Sequence, residues 1–171
     1  MLIITLSETS DLPALELHLE HSLVSLSKWE SIHEKPFYGR EGMDHDLTNS
    51  YIEEMLINSI SEKGWIDRFD VKEYNAVTNY INSKQSATWF REDSPSRGPR
   101  EIITGELIYY WMISFQIPFI PCETWHLNRL MTLIKICGVK QTKPRKMSRQ
   151  PQAEQYRRLN EQRRQQLGST G

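Results

Sequence analysis

Residues 106–120, ELIYYWMISFQIPFI, are the most hydrophobic stretch of the 171-residue chain, and they decide the expected fold. Thr104 can cap the start of a helix here, Glu106 suits its first turn, and Pro118 is expected to stop it. The stretch is apolar on nearly every side, which is typical of a buried helix. We therefore predict a central helix over Glu106–Gln116, surrounded by the rest of the protein.

A second apolar helix is predicted in ETWHLNRLMTLIKICG, over Thr124–Cys137. Gly138 follows at a position where helices commonly end, so we expect the helix to close there. Its apolar side chains form one broad face, and we expect the core to centre on the packing of this helix against the preceding one. The side chains of that face are Trp125, Leu127, Leu130, Met131, Leu133, Ile134 and Cys137.

The N-terminus predicts a β-hairpin. MLIITL is a short apolar run, SETSDLP supplies turn residues, and LELHLE alternates strictly over Leu15–Glu20. Successive side chains of a strand point to opposite faces. Leu15, Leu17 and Leu19 are therefore expected to face the core.

Three helices are predicted between the hairpin and the apolar pair. The first occupies HSLVSLSKWESIHE and ends before Pro36, and the second occupies LTNSYIEEMLINSISEKG with Gly64 as its cap. The third begins after Asp70, a good N-cap, and ends near Asn82. Their expected buried stripes are, in order, Leu23, Leu26 or Val24, Trp29 or Lys28, and Ile32; Leu47, Tyr51, Met55 or Leu56, and Ile60; and Val71, Tyr74, Val77 and Ile81.

Two short β-prone stretches, SATWF and REIIT, flank the polar connection REDSPSRGP. They predict either a second hairpin or an exposed loop. Taken together, the elements indicate an α+β fold that is predominantly helical, with an N-terminal β-hairpin followed by a helical cluster.

Charge divides the chain into an acidic body and a basic tail. Residues 1–139 carry 12 Lys and Arg against 20 Asp and Glu, a net charge of −8. Residues 140–171 carry 9 Lys and Arg against two Glu, a net charge of +7. We therefore predict a globular acidic domain over 1–139, a basic linker over 140–151 and a basic C-terminal helix or arm over 152–171.

The last segment, QAEQYRRLNEQRRQQLGSTG, has a helical composition but too few apolar residues to bury a stripe of its own. Its arginines could neutralise nucleic-acid phosphates, it could fold back on Glu53, Glu54 and Glu73 of the body, or it could become helical on another protein. We favour the third interpretation, because the acidic body would repel nucleic acid. The predicted partner-binding residues are Arg145, Lys146, Tyr156, Arg157, Arg158, Leu159, Arg163, Arg164 and Leu167.

Aromatic residues concentrate in the second half of the chain, at Trp89, Tyr109, Tyr110, Trp111 and Trp125. The favoured interpretation is that they fill the core between the two apolar helices. Trp89 is the one we expect at the surface, because its stretch flanks a loop. Exposed tryptophans commonly anchor protein interfaces, so Trp89 is also a predicted partner-binding residue.

The sequence offers one weak metal-binding pattern. Cys122 and His126 are four residues apart and could share a helix face. A protein zinc site needs three or four ligands, and the remaining histidines lie in distant segments. We therefore predict no metal and no cofactor.

Two groups of side chains could be imagined as general acids or bases: Glu30 with His33 and Glu34, and the pair Glu53 and Glu54. Charged runs on amphipathic helices are usually solvated faces, and nothing like a nucleophile elbow, P-loop or nucleotide-binding loop accompanies them. We predict a protein that is not an enzyme and has no small-molecule substrate.

Other features restrict the compartment. No apolar run reaches the ~18 residues that a membrane span needs, and the first residues lack the basic leader of a signal peptide. Two cysteines, Cys122 and Cys137, are too few for a disulfide framework and are expected as reduced, buried thiols. We expect no membrane partner.

Several stretches of the chain resemble one group of small proteins from the structural gene clusters of tailed bacteriophages. The stretches are LEHSLVSLSKWES at Leu19–Ser31, EIITGELIYYWMISFQIPF at Glu101–Phe119, WHLNRLMTLIKICGVK at Trp125–Lys140, and KMSRQ and RRLNEQRRQQLGSTG near the end. They are similar to tail assembly chaperones, which act before or around the tape-measure protein. The resemblance covers most of the chain, least in residues 35–86, and attaches no chemistry to these strings.

The resemblance implies a non-enzymatic phage assembly protein in the host cytoplasm. Its expected partners are tail proteins, either the tape-measure or the tube protein, together with further copies of itself. Such a chaperone must shield a long, hydrophobic, helical client, which calls for an apolar groove or a flexible arm. Two alternatives stay open: a structural virion protein of the head–tail junction or tail, and a nucleic-acid-binding accessory protein that uses the basic tail.

Overall fold

The computed structural model describes residues 1–10, 12–38, 45–90, 102–141 and 156–163. Two units, Met1–Val139 and Lys140–Gly171, are described separately. The fold is α+β and predominantly helical, with the N-terminal hairpin first, as predicted. In chain order the elements are β1 (Leu2–Leu6), β2 (Leu15–Leu19), α1 (Leu23–His33), α2 (His45–Glu54), a 3-10 helix (Trp65–Arg68), α3 (Val71–Asn82), α4 (Gly105–Ser114), α5 (Phe119–Cys122) and α6 (Leu127–Gln141).

The two strands form the predicted hairpin. They pair antiparallel, with Leu2 opposite Leu19 and Leu6 opposite Leu15. Leu17 and Leu19 are completely buried, and Leu15 packs against the same cluster. The inward alternation of β2 is therefore confirmed.

The free edge of β2 is covered by the chain that follows α2. The Glu20 N–H donates to the Met55 carbonyl at 2.8 Å, and the Ile57 N–H donates to the His18 carbonyl at 2.9 Å. The Asn58 side chain bonds the backbones of both Glu16 and His18 at 2.8 Å. Open strand edges leave backbone groups unpaired, so this pairing satisfies them.

This edge pairing overturns the predicted second helix. The expected helix ran to a cap at Gly64, whereas α2 ends at Glu54. Met55 is buried and Leu56 forms a β-bridge with Leu19, because pairing with the hairpin satisfies the backbone that a helix would otherwise have satisfied. Gly64, with a φ of +69°, instead precedes the 3-10 helix.

Helix α1 lies between two hydrophobic clusters. Trp29 belongs to the first cluster, whereas Leu23 and Leu26 belong to the second. Ser22 and Ser25 form a capping box at its start. The prediction that Ile32 would be buried is wrong, since its side chain is 63% exposed.

The core is divided into two, where the sequence predicted one centre. The predicted pair of apolar helices does pack together, in the second cluster with α1. The first cluster joins the hairpin, α1, α2, the 3-10 helix and α3, and its pairing of distant segments was not foreseen. Its buried members are Ile4, Leu6, Leu17, Leu19, Trp29, Tyr51, Ile52, Met55, Trp65, Ile66 and Val77.

Helix α4 begins at the predicted cap, where the Thr104 hydroxyl accepts a hydrogen bond from the Leu107 N–H at 3.3 Å. It ends at Ser114, two residues earlier than predicted. Gln116 adopts a left-handed φ of 56°, and the Ile117 N–H donates to the Met112 carbonyl at 2.8 Å. This bond closes the helix before Pro118 can, in the manner of a left-handed cap.

The prediction that α4 would be buried all round is wrong. Ile108 and Met112 are completely buried, but Tyr110 is 61% and Ile113 is 64% exposed. A single helix packed on one side of a cluster buries one face only. The apolar residues on its other faces therefore remain at the surface of the Met1–Val139 unit.

Helix α6 is shifted relative to its prediction. It begins at Leu127, whose N–H donates to the His21 carbonyl at 2.7 Å, and it continues through Gly138 to Gln141. A Cβ atom at Gly138 would lie 3.7 Å from Cζ of Phe115, an ordinary contact distance. Gly138 is therefore an interior helical residue packed beside Phe115, and the prediction that it closes the helix is wrong.

The third predicted helix is confirmed as α3. The Asp70 carboxylate accepts hydrogen bonds from the N–H groups of Lys72 and Glu73, and the helix ends at Asn82. Val77 is buried, but Val71 is 76% exposed, contrary to the predicted stripe. Residues 83–90 and 102–104 contain no strand, and residues 91–101, which include the connection REDSPSRGP and the first two residues of REIIT, lie outside the described residues.

In the second unit, residues 156–163 are helical and their side chains are exposed. The rest of the predicted arm and most of the predicted linker, residues 142–155 and 164–171, lie outside the described residues. Within the part of the chain that the structure describes, no helix has both the length and the apolar character needed to cross a membrane.

Candidate protein-binding groove

A groove of about 760 Å³ opens on the Met1–Val139 unit. Its walls come from three places: the C-terminal half of α4, the exposed side of α6, and the extended chain that follows α3. We call it the α4–α6 groove. Its lining residues are Lys84, Ser86, Thr88, Trp89, Phe90, Trp111, Phe115, Asn128, Met131, Thr132, Ile134, Lys135 and Gly138.

Helical spacing sets the floor of the groove. Trp111 lies one turn before Phe115, so both side chains lie on the same side of the chain beside the buried face of α4. Met131, Ile134 and Lys135 have the same relationship on α6. Two aromatic side chains therefore face a row of α6 side chains across the floor.

Side chains at the start of α6 hold the third wall in place. The Asn128 amide donates to the carbonyls of Ile81 and Ser83, both at 2.8 Å. His126 Nε2 bonds the Tyr80 carbonyl at 3.0 Å. These bonds fix the end of α3 against α6, which places residues 84–90 along the groove.

Two lysines lie on neighbouring aromatic rings of that wall. The Lys84 ammonium is 3.7 Å from the centre of the Trp89 ring, and the Lys135 ammonium is 4.2 Å from the centre of the Phe90 ring. Both distances are within the range of a cation–π interaction. Lys135 thus ties the extended wall to α6, and Lys84 covers the exposed Trp89.

The composition of the groove differs from that of a catalytic pocket. Among the described residues, its lining includes no histidine, cysteine or carboxylate. Its polar groups are two lysines, three hydroxyls and one amide, and that amide is already bonded to Ile81 and Ser83. The aromatic and aliphatic side chains of the lining suit contact with an apolar segment.

Outside the groove, several large apolar side chains of α4 and α5 are exposed. Ile113 is 64% exposed, Tyr110 is 61% exposed, and Ile120 is 80% exposed. The Ser114 hydroxyl of α4 donates to the Tyr110 carbonyl at 2.9 Å, so its polarity is satisfied locally. Large exposed apolar surface commonly marks interaction sites of proteins. We call these three residues, with Phe119, the α4–α5 face.

Of the predicted partner-binding residues, Trp89 lies in the groove and is 78% exposed. The sequence missed Phe90, Phe115 and Lys135, because each contributes through a contact with a distant segment. It also missed Lys84, whose ammonium lies over the Trp89 ring five residues later. Trp111 had been assigned to the core. Its position became apparent only once α4 was seen to bury a single face.

The other predicted residues belong to the tail. Tyr156 and Leu159 are 67% and 41% exposed, three positions apart on the 156–163 helix. Arg157, Arg158 and Arg163 are exposed on the same helix. The remaining predicted residues, Arg145, Lys146, Arg164 and Leu167, lie outside the described residues.

The carboxylates considered as acid–base groups have structural contacts. Glu30 is buried, and its two oxygens accept hydrogen bonds from the N–H groups of Phe37 at 2.9 Å and Gly105 at 2.6 Å. His33 bonds the Ser50 hydroxyl at 3.0 Å. Glu34 adopts a left-handed φ of 50° and ends α1. These contacts join α1 to its neighbours.

Cys122 and His126 do not share a helix. Cys122 ends α5, whereas His126 precedes α6 and bonds the Tyr80 carbonyl. Among the described residues, no group of three His, Cys, Asp or Glu side chains is arranged to hold a metal ion.

The most strongly shifted histidine lies in the core. His21 is 1% exposed, and its Nδ1 is hydrogen-bonded to the Tyr51 hydroxyl. Burial, followed by the neighbouring His126, lowers the pKa of His21 from 6.5 to about 3. Burial also raises the pKa of Tyr51. Neither residue lines the groove, so their shifts concern stability.

Comparison of the chain with protein-family models, with curated proteins and with solved structures gave no match. The features of this protein that bear on function are therefore the α4–α6 groove, the α4–α5 face and the charge distribution.

Proposed function

We propose that this protein is a non-enzymatic assembly factor that binds an apolar helical segment of a partner protein. Combined with the resemblance described above, this makes it a tail assembly chaperone of a tailed bacteriophage, with the tape-measure protein as its client. The observation that carries the proposal is the α4–α6 groove, and the exposed apolar residues of the α4–α5 face are a second feature of the same unit.

The extent of the apolar surface favours a polypeptide over a small molecule. A small ligand would fill the groove and leave Tyr110, Ile113 and Ile120 in water. A polypeptide is long enough to contact side chains outside the groove as well, and an amphipathic helix occupies the groove itself in helix-in-groove complexes. Burying a large apolar side chain contributes about 1.5–3 kcal/mol, and several such anchors are needed to offset the cost of association, which is about 4–15 kcal/mol.

The basic tail supplies a second contact in this proposal. Residues 140–171 carry a net charge of +7, and their described helix exposes Tyr156 and Leu159 one turn apart. A client with acidic stretches between its apolar stripes would engage both the groove and the tail. Electrostatic attraction of this kind mainly accelerates association and selects the partner.

Co-expression with the tape-measure protein of the same gene cluster tests the proposal. Met131→Glu places a charge in the groove and is expected to abolish co-purification and return the client to the insoluble fraction. Val71→Glu is the matched control, because Val71 is 76% exposed on α3 and outside the groove. Equal client solubility with all three proteins would refute the groove as the client site.

The α4–α5 face and the tail are tested in the full-length chain. Ile113→Ser is expected to weaken client binding and to leave the free energy of unfolding unchanged, because this side chain is largely exposed.

Replacing Arg157, Arg158, Arg163 and Arg164 by Gln is expected to slow client association. If the four changes leave the rate of client association unchanged, the tail does not take part in client binding.

Mass spectrometry of purified particles separates the alternatives. A chaperone is expected in infected cells and missing from finished particles. Stoichiometric presence in particles would instead identify a structural component of the head–tail junction or tail. DNA affinity that falls steeply with salt would identify a nucleic-acid-binding tail.

A further inference from the structure

The α4–α6 groove is positively charged although the unit around it is acidic. Residues 1–139 carry a net charge of −8. Among the described residues, however, the charged side chains that line the groove are Lys84 and Lys135. The groove is thus a local exception to the charge of its own domain.

The two ammonium groups are held rather than extended freely into water. Each lies on an aromatic ring, Lys84 on Trp89 at 3.7 Å and Lys135 on Phe90 at 4.2 Å. The ring occupies one side of an ammonium group, which carries three N–H donors. The remaining donors can bond carboxylate oxygens at the groove without loss of the ring contact. Because Trp89 and Phe90 are consecutive, both ammonium groups contact the same short segment, although Lys135 itself is on α6.

We propose that the α4–α6 groove is selective for an amphipathic helical segment that carries carboxylates beside its apolar stripe. The apolar stripe contacts Trp111, Phe115 and Met131, and the carboxylates pair with Lys84 and Lys135. This inference rests on the proposed function, since it specifies the chemistry of the segment that the groove binds.

Charge complementarity favours this occupant over the basic tail of a second copy of the chain. Residues 140–171 carry a net charge of +7, so the tail would bring arginines towards two fixed ammonium groups. Like charges in contact oppose binding. A carboxylate-bearing helix meets the opposite charge at both positions. At physiological salt the Debye length is about 8 Å, so charges farther away than this contribute little to the electrostatic potential in the groove.

Three synthetic helical peptides test the inference with the full-length protein. All share the same leucine stripe at helical spacing and a fluorescein label, and their flanking positions carry Glu, Gln or Lys. Fluorescence anisotropy gives the dissociation constant of each peptide. The Glu peptide is expected to bind about tenfold more tightly than the Gln peptide, with the Lys peptide weakest, and raising the salt concentration is expected to reduce this difference.

Substitutions in the groove identify the lysines responsible. Lys84→Gln and Lys135→Gln are each expected to weaken binding of the Glu peptide about threefold and to leave the Gln peptide unchanged. Lys63→Gln is the matched control, because Lys63 is exposed and outside the groove. Lys135→Arg is expected to preserve the preference, because arginine retains the charge and can stack on the Phe90 ring.

The outcomes separate this inference from the proposed function. Equal affinity for the Glu and Gln peptides, both abolished by Met131→Glu, would overturn the charge selectivity and leave the apolar groove as the client site. Binding of a hydrophobic dye in the groove without binding of any peptide would overturn both. A Glu preference that persists in the Lys84→Gln, Lys135→Gln double variant would place the selectivity elsewhere and overturn the inference.

Discussion

The Glu30 carboxylate of α1 accepts a hydrogen bond from the backbone N–H of Gly105, the first residue of α4, at 2.6 Å. Its second oxygen accepts from the Phe37 N–H at 2.9 Å. A carboxylate at a helix N-terminus satisfies an unpaired N–H group and interacts favourably with the helix dipole. Glu30 therefore fixes the position of α4, which carries one wall of the α4–α6 groove.

Glu30→Gln is expected to lower the free energy of unfolding by about 1–3 kcal/mol. The amide retains one acceptor oxygen but turns an NH₂ group towards a backbone N–H, so one donor is left unpaired in the interior. Urea denaturation followed by circular dichroism measures the change. Glu34→Gln, at an exposed residue four positions later, is the control and is expected to leave the midpoint unchanged. Equal urea midpoints for Glu30→Gln and the wild type would show that the Glu30 hydrogen bonds do not stabilise the position of α4.

Asp70→Ala is expected to lower the free energy of unfolding, because alanine cannot cap the start of α3. The Asp70 carboxylate accepts hydrogen bonds from the Lys72 and Glu73 N–H groups, and the interaction with the Glu73 side chain, followed by the Lys72 N–H bond, lowers its pKa. Asp70→Asn keeps an acceptor and is expected to recover most of the loss. The same urea titrations measure both variants. An Asp70→Ala variant as stable as the wild type would show that packing alone sets the start of α3.

Local signals in the sequence were sufficient to predict some of the helices and strands. Asp70 with Glu73 three residues later predicts the start of α3, and the alternation of Leu15, Leu17 and Leu19 predicts β2 and its inward face. Thr104 likewise marks the start of α4. Each of these elements is determined by residues a few positions apart, so the sequence alone defines it.

Other elements depend on partners distant in the chain. Residues 55–58 have a helical pattern but pair with β2, which lies some forty residues earlier. The end of α4 depends on the left-handed Gln116, and Gly138 is compatible with a helix that continues to Gln141. In such places tertiary hydrogen bonds override local propensity.

In the groove, too, some residues are predictable from local sequence and others are positioned by contacts with distant segments. Trp89 was expected at the surface because it precedes a polar, turn-rich segment. The position of Lys135 over the Phe90 ring depends on the packing of residues 84–90 along α6, and sequence spacing carries no information about that contact. The exposed side of α4 was missed because an all-apolar helix was taken to be a fully buried one. Excess apolar residues on a helix also indicate a binding surface.

Acidification is expected to destabilise the fold through His21. Its pKa is about 3 in the folded protein against 6.5 in the unfolded chain, so between these values the unfolded chain binds a proton that the folded protein excludes. Stability from this residue is fully present above pH 6.5 and falls as the pH decreases towards 3, by at most about 1.4 kcal/mol per pH unit. Urea titrations between these pH values measure the slope.

The contribution of His21 is isolated by comparing variants over the same pH range. His21→Asn is expected to reduce the slope, because asparagine can still bond the Tyr51 hydroxyl but does not titrate. His126, whose pKa is also lowered by burial, accounts for part of the remaining slope. His45→Gln, at an exposed position, is the control. Identical slopes for His21→Asn and the wild type would show that His21 is not buried in its neutral form.

Asn128→Asp is expected to impair both the fold and the groove. The Asn128 amide donates to the carbonyls of Ile81 and Ser83, both at 2.8 Å, and a carboxylate would instead present an acceptor to two acceptors. We expect the free energy of unfolding to fall by about 1–3 kcal/mol. The chain that carries Trp89 and Phe90 would also lose two of its bonds to α6, so the Glu peptide is expected to bind several-fold more weakly to the protein that remains folded.

Asn75→Asp supplies the matched control, since Asn75 is exposed on α3 and the same change in charge there leaves the groove intact. Peptide affinity is measured at a temperature where near-ultraviolet circular dichroism shows both variants to be folded. If Asn128→Asp lowers stability but binds the Glu peptide as tightly as the wild type, the hydrogen bonds from Asn128 to the Ile81 and Ser83 carbonyls stabilise the fold without positioning residues 84–90. Lys135 and Phe90 would then hold that wall by themselves, and the further loss of affinity in Lys135→Gln would measure their contribution.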